Sequence, residues 1–171
     1  MVSAGFDHSC GVTTAGSVEC WGDDFWGKSS PPSGTFRTVS ADIGHSCGVT
    51  TAGSVECWGR DDEGQSSPPS GTFDTVSAGG FHSCGVTSTG SVECWGSDIG
   101  GRSTPPGGTF ETVSAGWYHT CGVASTGSVE CWGFDDEGES TPPGGTFESV
   151  SAGGEHTCGV ASTGSVECWG D

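Results

Sequence analysis

An all-β fold, a propeller with one small antiparallel sheet per repeat, is what this 171-residue chain predicts, and three observations predict it. The first is a fixed period. His8, His45, His82, His119 and His156 fall 37 residues apart, and two cysteines follow each at constant offsets. A period of 20–50 residues marks solenoids, propellers and arrays. The second is strand patterning without helix patterning: short β-prone runs are punctuated by Gly and Pro every few residues, with no 3.6-residue periodicity. The third is unit size, since 37 residues hold three to four short strands, and radially repeated small sheets make propellers. Cutting before each Val-Ser-Ala gives one repeat domain over 1–171, with blades at about 2–38, 39–75, 76–112, 113–149 and 150–171.

The second repeat shows each element in order. Thr72–Ala78 (TFDTVSA), at the join with the third, reads as a strand in which Phe73 and Thr75 alternate against Asp74 and Val76. His45–Val49 and Ser54–Trp58 read as a hairpin closed by Thr-Thr-Ala-Gly, with Cys47 opposite Cys57 and Val49 opposite Val55. That register puts His45, Cys47, Val49, Val55 and Cys57 on one face and Ser46, Gly48, Glu56 and Trp58 on the other, with Gly48 leaving room for the indole. Both faces are bulky, as suits a sheet packed between two others. Gly64 to Pro69 can supply only a short outer strand, because Pro-Pro cannot donate to a ladder. Five repeats need four connectors to form a circle cut at one joint, and four are present. The same count fits five units of a longer run, so a closed five-bladed ring and a slice of a longer array both stay open at this point.

Composition leaves the interior short of ordinary material. The chain has no Leu, two isoleucines (Ile43 and Ile99), one Met and 33 Gly, so burial rests on Val, Phe, Trp and the cysteines. Cross-strand partners in an antiparallel pair have the Cα separation that a disulfide needs. The predicted bridges are therefore Cys10–Cys20, Cys47–Cys57, Cys84–Cys94, Cys121–Cys131 and Cys158–Cys168, each worth roughly 2–3 kcal/mol in the chain-entropy model. They imply an oxidising, extracellular or cell-surface location. The rival is zinc, since His8, Cys10 and Cys20 would share a face as a Cys₂His set. Five identical sites argue for structure instead, with the histidines making hydrogen bonds within or between blades.

Charge and motifs narrow the function. Net charge is −18, with only Lys28, Arg37, Arg60 and Arg102 as cations, which disfavours nucleic acid and anionic membranes as partners. No run approaches the ~18–20 apolar residues of a membrane span. No nucleophile elbow, phosphate loop or unique Ser/His/Asp set appears, so the expectation is a non-enzymatic protein with no cofactor and no bound metal. Acidic runs such as Asp61-Asp62-Glu63 and Asp135-Asp136-Glu137 match no known calcium loop and read as solvated. Glu19, Glu56, Glu93, Glu130 and Glu167 sit within a strand beside Trp and are expected to find a donor on the adjacent blade.

The repeated core VSAG-xx-H-[ST]-C-GV-x-x-x-G-SVECWG, followed by D-x-x-G and a Pro-containing stretch, resembles bacterial repeats of the regulator-of-chromosome-condensation superfamily. The likeness covers essentially the whole chain, with Asp42 replacing the Gly found at 5, 79, 116 and 153. It implies a propeller, typically of seven blades, so five units is a departure. The superfamily's chromatin binding and nucleotide-exchange activity are not carried over to so acidic a chain. A secreted branch of β-lactamase inhibitors, which bind a protein through blade-connecting loops, is the closer precedent.

Three windows differ between repeats: the two residues before each His, the four after each Trp-Gly, and the site of Arg37, Asp74, Glu111 and Glu148. The first two gather Phe6, Phe25, Trp26, Phe81, Trp117, Tyr118 and Phe134 beside acids. Loop aromatics of this kind serve as binding anchors. The expected role is recognition or scaffolding of a protein or glycan ligand through these loops. The alternative is a building block of a fibre or surface layer, self-associating as the last repeat of one copy docks on the first of another.

Overall fold

The structure is a computed structural model that describes residues 1–171. Fifteen strands form five separate three-stranded antiparallel sheets in sequence order. They are β1 (Val2–Ala4), β2 (His8–Val12) and β3 (Val18–Gly22) in blade 1, β4 (Phe36–Ala41), β5 (His45–Thr50) and β6 (Val55–Gly59) in blade 2, and β7 (Phe73–Ala78), β8 (His82–Thr87) and β9 (Val92–Gly96) in blade 3. Blade 4 holds β10 (Phe110–Ala115), β11 (His119–Ala124) and β12 (Val129–Gly133), and blade 5 holds β13 (Phe147–Ala152), β14 (His156–Ala161) and β15 (Val166–Gly170). The Pro-Pro stretches contribute no fourth strand. Single 3₁₀ turns at Phe25–Gly27 and Ile99–Gly101 are the helical content.

The hairpin register is the one read from sequence: Cys47 faces Cys57, Val49 faces Val55 and Ser46 faces Trp58. All five predicted disulfides are present and no cysteine is free. The sulfurs of the Cys₂His alternative are thereby consumed. The residue that Gly48 accommodates is a different one from that expected: a Cβ there would lie 2.7 Å from the Phe36 ring of the preceding strand. Phe36 in turn packs edge-on to Trp58 at 6.2 Å. Gly59 has φ 108°, and a Cβ on it would meet the Gly44 carbonyl at 2.7 Å, which explains the Gly closing each Trp-Gly.

The apolar interior lies between blades. One cluster joins Cys10 and Val18 of blade 1 to Phe36, Val39, Ala41 and Trp58 of blade 2, and three like it follow round the arc. Polar groups cross the same seams. His8, His45, His82 and His119 pair through Nε2 with Ser46, Ser83, Thr120 and Thr157 at 2.6–2.8 Å. Each hydroxyl donates onward to the carbonyl of Lys28, Gln65, Arg102 or Glu139. That polarity assigns the imidazole proton to Nε2. Ser3, Ser40, Ser77 and Ser114 accept the backbone N–H of Ala41, Ala78, Ala115 and Ala152. These inner serines line a central channel of about 350 Å³.

Five blades share four such seams, so the ring is open. Trp21 is 53% exposed, whereas Trp58, Trp95 and Trp132 are 7–8% exposed. At the other end Val166 is 67% exposed against 7% for Val129, and His156 lies in solvent. A closed ring would have buried both faces.

The strand glutamates also depart from expectation. Glu19, Glu56, Glu93 and Glu167 are exposed and Glu130 is half-buried, with no donor reaching them from the next blade. Their strands are the outer edges of three-stranded sheets, so the carboxylates reach water. Charge there also blunts an edge that would otherwise template pairing with other chains.

Candidate functional site

Two sets of loops meet on one rim. The turns between the first and second strands of each blade carry Phe6, Phe81, Trp117 and Tyr118, and the connectors after the third strands carry Phe25, Trp26 and Phe134. The connectors are shaped by their own aspartates. Asp24, Asp61, Asp98 and Asp135 each accept a backbone N–H five residues on, from Ser29, Ser66, Ser103 and Ser140, at 2.8 Å. Their second oxygens accept the hydroxyls of Ser30, Ser67, Thr104 and Thr141. One acid per loop that reads as solvated is therefore a turn-forming group. Asp62 is clamped by Arg60 at 2.6 and 2.7 Å, which holds its carboxyl below the usual carboxylate range. No set of three or more acids, His or Cys is arranged to hold a metal ion.

All seven aromatics singled out in the variable windows join in one band. Phe6 packs edge-on to Trp117 at 6.3 Å, Trp117 to Tyr118 at 6.5 Å, and Tyr118 to Phe134 at 6.0 Å. Arg102 lies over Phe81, Tyr118 and Phe134 at 5.5–5.8 Å. Arg60 lies 5.2 Å from both Phe81 and Trp26, and Trp26 packs edge-on to Phe25 at 4.5 Å. Cation–π contacts of this geometry contribute about 0.5–2 kcal/mol each, most where water is excluded. Phe6, Phe25 and Trp26 stand exposed, while Phe81, Trp117, Tyr118 and Phe134 are half-buried. Trp26 has φ 68°, a backbone region that Gly100 occupies in repeat 3. The third variable site falls outside the band: Arg37 donates to the Thr50 and Phe73 carbonyls, and Asp74, Glu111 and Glu148 are exposed on strands.

Sequence reasoning missed a column of buried polar residues beneath the rim. Lys28, Gln65, Arg102 and Glu139 are equivalent by repeat, and each is at most 4% exposed. Lys28 is neutralised by Asp7 at 2.6 Å and Asp23 at 2.8 Å. Gln65 bonds Glu63 N–H and Asp62. Burial holds the Arg102 guanidinium below its ordinary value. Glu139 lines a cleft of about 310 Å³ with Tyr118, Phe134, Asp136, Glu137 and Glu155. The one available signal was variation of charge type at a single fixed position. Asp42 was noted only as a replacement for Gly; burial pushes its carboxyl up to about 7, against hydrogen bonds from the Trp117 side chain and Ile43 N–H.

Fold and rim together define an open, disulfide-bridged β-propeller whose loops present an aromatic and acidic face. The regulator of chromosome condensation (RCC1) repeat model matches residues 2–25, 73–100, 110–139 and 147–171, and the chain belongs to that family. Among solved structures it is similar to the CRINKLY WD40 ectodomain of the Arabidopsis thaliana receptor kinase ACR4, at 32% identity and TM-score 0.80 over 99% of this chain and 62% of that one. It is similar to the entire ectodomain of the Physcomitrella patens receptor kinase CR4, at 30% identity and TM-score 0.81 over 99% of this chain and 49% of that one. Prp20p from Saccharomyces cerevisiae has the same fold, at 17% identity and TM-score 0.85 over 99% and 57%. The chain thus spans about half to three-fifths of the structures it matches. No curated protein matches it in sequence.

Proposed function

We propose that this protein is an extracellular recognition module that binds a protein or glycan partner through its aromatic rim. The observation that carries this reading is the convergence of seven aromatics, drawn from windows that vary between otherwise near-identical repeats, into one band bridged by Arg60 and Arg102. Interface hot spots are enriched in Trp, Tyr and Arg. Two receptor-kinase ectodomains among the similar structures and one disulfide per blade favour a secreted or surface setting. The test replaces Trp117 and Tyr118, neither of which belongs to the four interblade apolar clusters, with serine. Immobilised wild-type and W117S/Y118S proteins are compared for capture of secreted proteins and on a glycan array. Loss of wild-type ligands by the variant, with circular dichroism unchanged, is expected; undiminished capture sinks the reading.

A second reading, head-to-tail assembly of copies, is favoured by the two open ends. The exposed face of blade 5 carries His156, Ser151 and Val166, the groups that make every internal seam, and blade 1 offers Ser9 and the Ala4 N–H as their counterparts. Such a heterologous contact builds rings or filaments. Light scattering across a hundredfold concentration range should show association that V166E removes. A monomer throughout rejects it.

A further inference from the structure

We infer that the cleft between Tyr118, Phe134 and Glu139 takes an organic cation, an alkylammonium or a guanidinium group. The inference names the ligand chemistry of one part of the rim and so rests on the reading of that rim as a recognition face. The repeats supply the argument, because the same position already holds a cation elsewhere in this chain. In blade 1 it is Lys28, whose Nζ is cradled by Asp7 at 2.6 Å and Asp23 at 2.8 Å. In blade 3 it is Arg102, held by the ring faces of Phe81, Tyr118 and Phe134. Acids dominate the first lining, with the Trp26 ring 5.8 Å from Nζ. In the second the aromatic faces are joined by the Ile99 and Trp117 carbonyls, which accept from the guanidinium at 2.8 and 3.1 Å.

In blade 4 both kinds of lining are present and the cation is gone. The position is Glu139, 2% exposed, and its only side-chain hydrogen bond is accepted by Oε2 from Glu137 N–H at 2.9 Å. No Lys or Arg pairs with it. Asp136, Glu137 and Glu155 complete the wall, and Tyr118 and Phe134 are the apolar side of a cleft of about 310 Å³. Arg102 does not line it; that guanidinium sits in the neighbouring cleft, which shares Tyr118. A buried carboxylate with no countercharge is costly, and an entering cation relieves that cost beside the two rings that line the cleft. The negative field of a chain at net charge −18 raises the local concentration of such a ligand.

The experiment titrates the intact, disulfide-bonded protein at low salt with butylammonium, propylguanidinium and neutral pentanol, following backbone amides by two-dimensional NMR. Saturable shifts at Tyr118, Phe134, Glu137 and Glu155 are expected for the cations and not for pentanol. Two substitutions have precedent in the chain itself: Glu139→Gln copies Gln65, and Phe134→Ser copies Ser97. Each should weaken cation binding by roughly tenfold. N-acetyl-lysine methylamide and putrescine then distinguish a peptide side chain from a free amine, the tighter ligand naming the source. Equal binding of pentanol, shifts located elsewhere, or an unweakened E139Q variant each overturns the proposal. Because the probes are small cations, these outcomes are independent of whether W117S/Y118S loses a macromolecular partner. The wild-type comparison of cation with alcohol decides even where a variant fails to fold.

Discussion

Replacing Asp42 with glycine should stabilise the protein at neutral pH and do almost nothing in acid. The position follows the inner strand of each blade, and the other four repeats have glycine there. At the glycine steps the next N–H reaches a carbonyl on the adjoining blade, Gly80 to Gly116 at 3.1 Å and Trp117 to Gly153 at 3.0 Å. A Cβ at Gly79 would lie 2.5 Å from the Gly116 carbonyl, so a side chain is incompatible with that close approach. Asp42 has a Cβ, and Ile43 N–H bonds to the Asp42 carboxylate instead. Asp42→Gly restores a seam hydrogen bond, about 1 kcal/mol, and adds unfolded-state freedom costing about as much. What remains is the carboxylate. Its folded pKa of about 7 stands above the ordinary 3.8, so below pH 3.8 both states are protonated and the group is neutral in effect. Between 3.8 and 7 the unfolded chain gives up the proton and the folded one keeps it, a penalty that grows by about 1.4 kcal/mol per pH unit. The full shift is worth about 4 kcal/mol above pH 7, and solvent screening at a half-buried group brings it to about 2. Urea unfolding of both proteins, unreduced, at pH 4 and pH 8 checks this. An offset that is the same at the two pH values refutes the reasoning.

Two further outcomes follow from the seams. His45 and His82 are pushed down to about 4 and about 3, first by burial, so their stabilising effect is complete above the unfolded value near 6.5 and is lost as pH falls towards those values. Denaturant midpoints should therefore drop between pH 6.5 and 4, and His82→Gln should flatten that slope by about 1.4 kcal/mol per pH unit while lowering stability at pH 7. Removing Cys84–Cys94 by paired alanine substitution should cost roughly 2–4 kcal/mol, measured by thermal unfolding. The same change at Cys158–Cys168 should cost less, because Cys158 is only half-buried at the open end.

The strands and their sulfur pairing were legible because period, turn and alternation agreed: once Thr-Thr-Ala-Gly is a hairpin turn, Cys47 can face only Cys57. The aromatic windows were legible as variable loops beside a constant scaffold. That equivalent loops share a face follows from the repeat, but the contacts joining them do not, because they depend on Arg60 and Arg102, which sequence offers only as two of four scattered cations. The buried column was hidden for a related reason. Lys28, Gln65, Arg102 and Glu139 look like linker polarity, and only the connector's fold, drawn in by Asp24, Asp61, Asp98 and Asp135, puts them under the rim. The strand glutamates were misjudged by assuming a covered outer edge, and ring closure stayed open because the number of connectors says nothing about whether the first and last faces meet.

The placement of the core between blades explains why the disulfides are where they are. In an ordinary sandwich each sheet contributes one face to one interior, but here both faces of every inner blade are interior, and a 37-residue unit lacking leucine must fill two half-cores. Cys47 is fully buried against Phe73 and Trp95 of the next blade, so each cystine serves as apolar filling and as a cross-link that fixes which residues face which seam. Register matters more than usual in this design, since a slip of one residue would send the seam histidine to the wrong face and break its bond to the next blade. The rim inherits that dependence. Phe6 of blade 1 touches Trp117 of blade 4, and Arg60 spans from Trp26 to Phe81, so the band exists only while four successive blades hold their angles. A per-blade covalent register is therefore what lets a chain so poor in apolar side chains present a continuous surface made from loops of different repeats.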